Sequence, residues 1–296
     1  MQSQALFQRC LLLLWIIMPG PNVVFGDEIF TADALVGKNA GDRKQLIAGM
    51  NFRWCPPGSF KMGDAKRKKQ ADVTLTSGFW LGETEVTQVQ WESLMKSTPW
   101  RGQEFVKEGA DYAATYISHG DVDDGKLQHD SASEFCRRLT DAQRKAGRLP
   151  VGWKYALPTE AQWEYACRAG TTTDYSFEGG EKQLGDYAFS MKNGWLAGEQ
   201  FAHLVGQKKE NPWGFKDMHG NVSEWCADGN AGFKPPGGND PLRAYEGTGR
   251  LNRGGSFNTL ASECKSSASP ASPPDFRSYE IGFRVALVAS KEPTEK

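Results

Sequence analysis

The chain has 296 residues, with 35 Lys and Arg against 36 Asp and Glu and a formal net charge of -1. That is enough for one large domain or two small ones, without the basic excess of a nucleic-acid binder. Ten Trp and 33 Gly suggest a core wrapped by loops, and six Cys at positions 10, 55, 136, 167, 226 and 264 contain no C-x-x-C pair of a zinc ribbon or thioredoxin-like site.

Residues 1–26 read as a cleaved export signal. Arg9 precedes the apolar run from Cys10 to Met18, about half the ~20 residues of a membrane-spanning helix. Pro19-Gly20-Pro21 ends it, and Val24-Phe25-Gly26 offers a small-residue cleavage site. Export places the mature protein, with five cysteines, where disulfides persist and calcium is plentiful, with no stable membrane span after cleavage. Residues 27–48 read as a polar lead-in, 49–290 as one domain, and 291–296 as a tail.

The domain opens with MNFRWCPPGSFKMGD, where Phe52 and Trp54, then Phe60 and Met62 beyond Pro56-Pro57-Gly58, alternate as in a short hairpin. Lys66–Lys69 reads as a solvated loop. Three helix starts follow, each with a hydroxyl three residues before Glu or Gln. Thr87 with Gln90 opens one, with Val89, Leu94 and Met95 as its expected buried face. Ser131 with Glu134 opens a second that buries Phe135, Cys136 and Leu139 and stops at Gly147. Thr159 with Gln162 opens a third that buries Trp163 and Cys167 and stops at Gly170. His119, Asp121, Asp123 and Asp124, between the first two helices, read as a solvated loop or a cation site. The closing strand is expected over Ile281–Leu287.

The stretch NPWGFKDMHGNVSEWCAD, Asn211 to Asp228, is too broken for a helix or an ordinary strand. Asp217 and Glu224 bracket a turn at His219-Gly220-Asn221, where Gly220 is expected to supply backbone angles that a Cβ resists. Such a turn aims oxygens at a common point, as a hard cation requires.

This stretch resembles the signature of the formylglycine-generating enzyme, or sulfatase-modifying factor, family. CPPGSFKMG, ETEVT, LPTEAQWEYACRAGT, RGGSF and GFRVA match in the family's order between about residues 50 and 288. The resemblance implies an α+β fold, a single loop-rich domain of C-type-lectin-like type. It implies oxidation of a sulfatase cysteine to formylglycine with oxygen and copper, the partner being an unfolded sulfatase polypeptide or another exported peptide. It also implies calcium held by the side chains of Asp217 and Glu224 and the carbonyls of Gly220 and Val222. Ser256 lies beside the family's active centre.

One departure matters. The family holds Cu(I) with two cysteines, and here those positions are Thr259 and Cys264. A hydroxyl is a hard, neutral ligand and does not replace a thiolate on a soft ion. Cys264 is then a copper ligand lacking its usual mate or, by the same resemblance, a disulfide partner of Cys167; Cys55 and Cys226 are a further candidate pair. The alternative to an oxidase is a secreted, calcium-stabilised binding module that uses its cleft for a peptide or glycan. Iron chemistry is disfavoured, because none of the four histidines are spaced i, i+4.

Overall fold

The computed structural model describes residues 30–47, 49–120, 129–230, 232 and 234–290. The expected export signal, the tail, and Asp121, Asp123 and Asp124 lie outside these residues. Among the described residues no helix is long and apolar enough to cross a membrane.

Three sheets and three principal helices form a single α+β domain. In chain order the elements are β1 (Arg43–Ile47), β2 (Met50–Cys55), β3 (Gly58–Asp64), β4 (Lys69–Leu75), β5 (Phe79–Gly82), α1 (Gln88–Met95), α2 (Ala132–Lys145), β6 (Trp153–Ala156) and α3 (Glu160–Arg168). They continue with β7 (Ser223–Gly229), β8 (Gly238–Asn239), β9 (Arg250–Arg253), β10 (Ala271–Ser272), β11 (Ile281–Gly282) and β12 (Ala286–Ala289). An antiparallel sheet runs β1-β2-β5-β12-β6, a second sheet runs β10-β9-β7-β11 with β11 parallel to β7, and a third runs β3-β4-β8. The stretch from Gly170 to β7 holds only short helical turns.

Helix starts follow the capping logic. Thr87 and Thr159 each accept a hydrogen bond from the N–H three residues on, and Gln90 and Gln162 return the favour to the cap N–H. Ser131 caps α2 in the same sense, but Glu134, itself buried, accepts from Arg137 and Arg138 instead of from the cap N–H. The buried face of α1 is Gln88, Trp91 and Met95, not Val89, which is 36% exposed. Trp91 takes the core side because its ring stacks on Phe135 and meets Phe283 edge-on.

Three other expectations change. The lead-in is part of the domain: β1 pairs with β2, and Leu35 and Ile47 are buried. The segments flanking Pro56-Pro57 are not a hairpin, because β2 pairs with β1 and β5 while β3 pairs with β4. Two adjacent prolines lack the N–H groups that would close a tight two-stranded turn, and the chain instead steps between sheets. The closing strand is two strands for a related reason: β11 joins β7 and β12 joins β5 and β6, so Phe283–Val285 crosses between sheets.

Candidate functional site

Two places were marked by the sequence: the turn after Asp217 and the segment after Gly254. Asp217 and Asn221 carry the left-handed backbone of the turn, with φ of 61° and 68°. Gly220 does not; it is required for space, since a Cβ there would strike the Phe189 carbonyl oxygen. Asn221 holds the turn by accepting from the His203 N–H and donating to Glu85.

Glu224, on β7, is fully buried and faces Arg284 on the crossing between sheets. Arg284 Nε and Nη2 reach its two oxygens at 2.5 and 2.7 Å, and Trp163 Nε1 donates to Oε2 at 2.8 Å. The other Arg284 N–H groups donate to the carbonyls of Gly82, Glu83 and Lys216. The guanidinium thereby fastens β5 to β7 (a structural role the sequence reading missed, although GFR is visible in it). Asp217 Oδ2 accepts from the Gly206 N–H at 2.6 Å, whereas Asp217 Oδ1 and Glu85 Oε2 are buried without partners.

With all three acids ionised this cluster would hold three negative charges against Arg284's one, an expensive burial. Burial, then the charges of Asp217 and Glu224, push Glu85 well above the usual carboxyl range. Burial likewise raises Asp217 to about 6. For a hard cation the donor set is therefore uneven. Asp217 and Glu85 present unused oxygens, while Glu224 is already spent on Arg284. Among the described residues no three His, Cys, Asp or Glu side chains gather as a metal cage.

At the second place, Gly254-Gly255 turns the chain so that Cys264 Sγ and the Thr259 side chain flank one point: a Cβ on Gly255 would lie 2.8 Å from the sulfur and 3.1 Å from Thr259 Cγ2. Thr259 Oγ1 accepts from the Ser256 N–H at 2.9 Å and lies 3.0 Å from Ser256 Oγ. Cys264 is fully buried, its thiol 3.8 Å from the Thr259 carbonyl, and burial above all pushes it up to about 12. A neutral hydroxyl engaged elsewhere and a protonated buried thiol do not fit Cu(I), which binds thiolates.

The five described cysteines are all free and buried, so neither expected disulfide is formed. Cys167 Sγ instead packs against Ser266 Oγ and His219 Nε2, both at 3.6 Å. His219 is structural: Nδ1–H donates to the Cys264 carbonyl, and Nε2 accepts from the N–H and hydroxyl of Ser176. Burial lowers it to about 4, so it stays neutral.

Gly255 and Thr259 stand on the wall of a cleft of about 1030 Å³ that runs from the β3–β4 turn past the start of α3 to Tyr279 and Glu280. Serines 262, 267, 269, 272 and 278 supply much of its lining, with charges of both signs between them. Inside the mouth, Ser256 Oγ and Asn258 Nδ2 donate to the two oxygens of Glu280 at 3.2 and 2.8 Å. Glu280 carried no signal in the sequence; only its convergence with Ser256 marks it.

Known proteins share this architecture. The chain is 28% identical over 226 residues to the chaperone protein LppX of Paenibacillus barcinonensis, covering 68% of this chain and 76% of that one. It is 25% identical over 283 residues to the formylglycine-generating enzyme of Mus musculus, covering 78% and 73%. The solved Treponema denticola variable protein 1 superposes with a TM-score of 0.68 at 24% identity, over 83% of this chain and 98% of that one, which speaks for the fold. The profile of the sulfatase-modifying factor enzyme 1-like domain matches residues 41–289, nearly the whole folded region, and the chain belongs to that family.

Proposed function

We propose that this protein is a non-oxidase member of its family that binds an extended segment of an exported polypeptide in the cleft beside Thr259. The observation that carries this reading is the pairing of an open cleft with a disabled thiol site. The 1030 Å³ groove is lined by serine hydroxyls and mixed charges suited to a polar backbone, while Cys264 is sequestered and Thr259 bonds to Ser256. The likeness to a relative named as a chaperone protein favours a polypeptide over a glycan.

Calcium belongs to this reading as a stabiliser. Asp217 would hold it, with Glu85 as the second carboxylate because Arg284 occupies Glu224; the unpartnered Asp217 Oδ1 and Glu85 Oε2 support that assignment. A divalent cation there offsets the buried negative charge that protons otherwise neutralise.

The test supplies the purified chain with Cu(I), oxygen and a peptide bearing a Cys-x-Pro-x-Arg sulfatase motif, then follows the peptide by mass spectrometry and its binding by fluorescence anisotropy. Binding with the thiol intact is the expected result. Conversion to the aldehyde that disappears in Cys264→Ser would overturn the non-oxidase reading.

A further inference from the structure

One end of the cleft is marked by a run of cations. The turn between β3 and β4 reads Lys66-Arg67-Lys68-Lys69, and Arg67 and Lys69 line the cleft together with Lys265. Such a run is ordinarily a solvated loop without a fixed shape. Here the turn is tied down through its backbone. Asp64 Oδ1 accepts from the N–H groups of Lys66 and Arg67 at 2.8 and 3.1 Å, and the Lys68 N–H donates to the Ala65 carbonyl at 3.1 Å. Asp174 draws Lys66 and Lys265 to one oxygen, at 2.6 and 3.4 Å, which sets the turn against the segment after Cys264.

The charges at this end do not cancel. Lys66, Arg67, Lys68, Lys69 and Lys265 stand against Asp64, Asp174 and the exposed Glu263, so positive charge is left over. Farther along the lining, Glu160 and Glu164 are met by Arg243, Arg253 and Arg168 and do not offset it. Lys68 adds to the excess: it is exposed and makes no ion pair among the described residues. Its backbone is left-handed, with φ of 54°, a conformation that Gly or Asn adopts at less cost. An excess of one sign along a protein wall focuses its field into the cleft and draws in the opposite charge. The Lys66–Asp174 and Arg67–Asp64 pairs are no obstacle. Their cationic side chains are 75% and 72% exposed, so the pairs are weak and exchange readily for an incoming carboxylate.

We infer that the β3–β4 turn is an electrostatic subsite for a run of acidic residues in the bound polypeptide, beside the part held in the cleft. The inference rests on the polypeptide reading and adds a charge preference to it. An acidic stretch of chain is favoured over an anionic membrane on two grounds. Cations on the cleft lining meet a chain as it leaves the cleft, and the turn from Ala65 to Lys69 has no large apolar side chain to enter a bilayer.

The experiment uses the full chain and capped, dye-labelled peptides with one core, the Cys-x-Pro-x-Arg sequence, extended at either end by about four Glu or four Gln. Affinity is read by anisotropy. In at least one placement the Glu tail should bind about tenfold tighter than its Gln twin, the sum of a few exposed charge contacts. Raising the salt to 1 M, where the screening length falls to about 3 Å, should erase the gain. Arg67→Gln together with Lys68→Gln should remove most of the difference, and Arg67→Lys together with Lys68→Arg should keep it. Equal affinities for Glu and Gln tails in both placements, or a preference that survives the double Gln variant, would overturn the subsite and leave the cleft reading standing. Binding to phosphatidylserine-containing vesicles with no preference for the Glu tail would overturn it in favour of a membrane surface. Failure of every peptide to bind would remove both the subsite and the polypeptide reading.

Discussion

Arg284→Met is the sharpest perturbation of the buried charge cluster. The wild-type guanidinium is fully buried and neutralises Glu224 through two contacts, with three further hydrogen bonds to carbonyls of Gly82, Glu83 and Lys216. Methionine fills part of the volume but leaves Glu224, among the described residues, with Trp163 as its remaining donor, next to the carboxyls of Glu85 and Asp217. Removing one partner of a buried pair costs about 3–5 kcal/mol, chiefly because the remaining charge is stranded. For a domain of this size each kcal/mol moves Tm by roughly 2–4 °C, so a fall of about 6–20 °C is expected at neutral pH. Urea and thermal unfolding followed by Trp fluorescence read it directly. Adding Glu224→Gln to Arg284→Met should restore at least half of the loss, since Glu224, the carboxylate that Arg284 contacts directly, then no longer strands a charge. A single variant that loses less than about 1 kcal/mol, or a double variant no better than the single, would refute the account of Arg284 as the counter-charge.

Three further outcomes follow from the same geometry. His219 titrates near 4 in the fold against an ordinary 6.5, because burial disfavours its charge; its stabilising neutral form is present above 6.5 and lost as pH falls toward 4. The stability difference between wild type and His219→Phe should therefore shrink by about 3 kcal/mol across that interval, and a constant difference would show that His219 is not held neutral. Millimolar calcium should raise the Tm of wild type but not of Asp217→Asn or Glu85→Gln, and an equal calcium shift in both variants would remove the assignment. Thr259→Cys restores a thiol opposite Cys264 across Gly255; Cu(I) competition with a chromophoric chelator should show tighter binding than wild type, and no gain would mean that the buried Cys264 cannot ionise to meet the metal.

Much of the fold was legible in local chemistry. Thr87, Ser131 and Thr159 announce their helices because a cap is a short-range hydrogen bond, decided within four residues. The six family segments carry enough identity to specify the domain as a whole. The α1 face was misjudged because aliphatic spacing does not say which side meets the core: Val89 stays near solvent while Trp91 stacks on Phe135. Gly220 looked like a turn glycine, yet the constraint on it comes from Phe189, a residue 31 positions away in sequence whose carbonyl fills the space.

The sequence by itself determined the family and the helix starts, because each is written in residue identity and short spacing. Only the tertiary structure decided how the charges are spent. Arg284 reaches Glu224 across 60 residues, Glu85 meets Asp217 and Asn221 from the other side of the chain, and Glu280 accepts from Ser256, 24 positions before it. Whether a carboxylate is a metal ligand, half of an ion pair or an acceptor for a neutral donor depends on which partner the fold places within about 3 Å of it, and that distance is set by packing between sheets rather than by the order of residues along the chain.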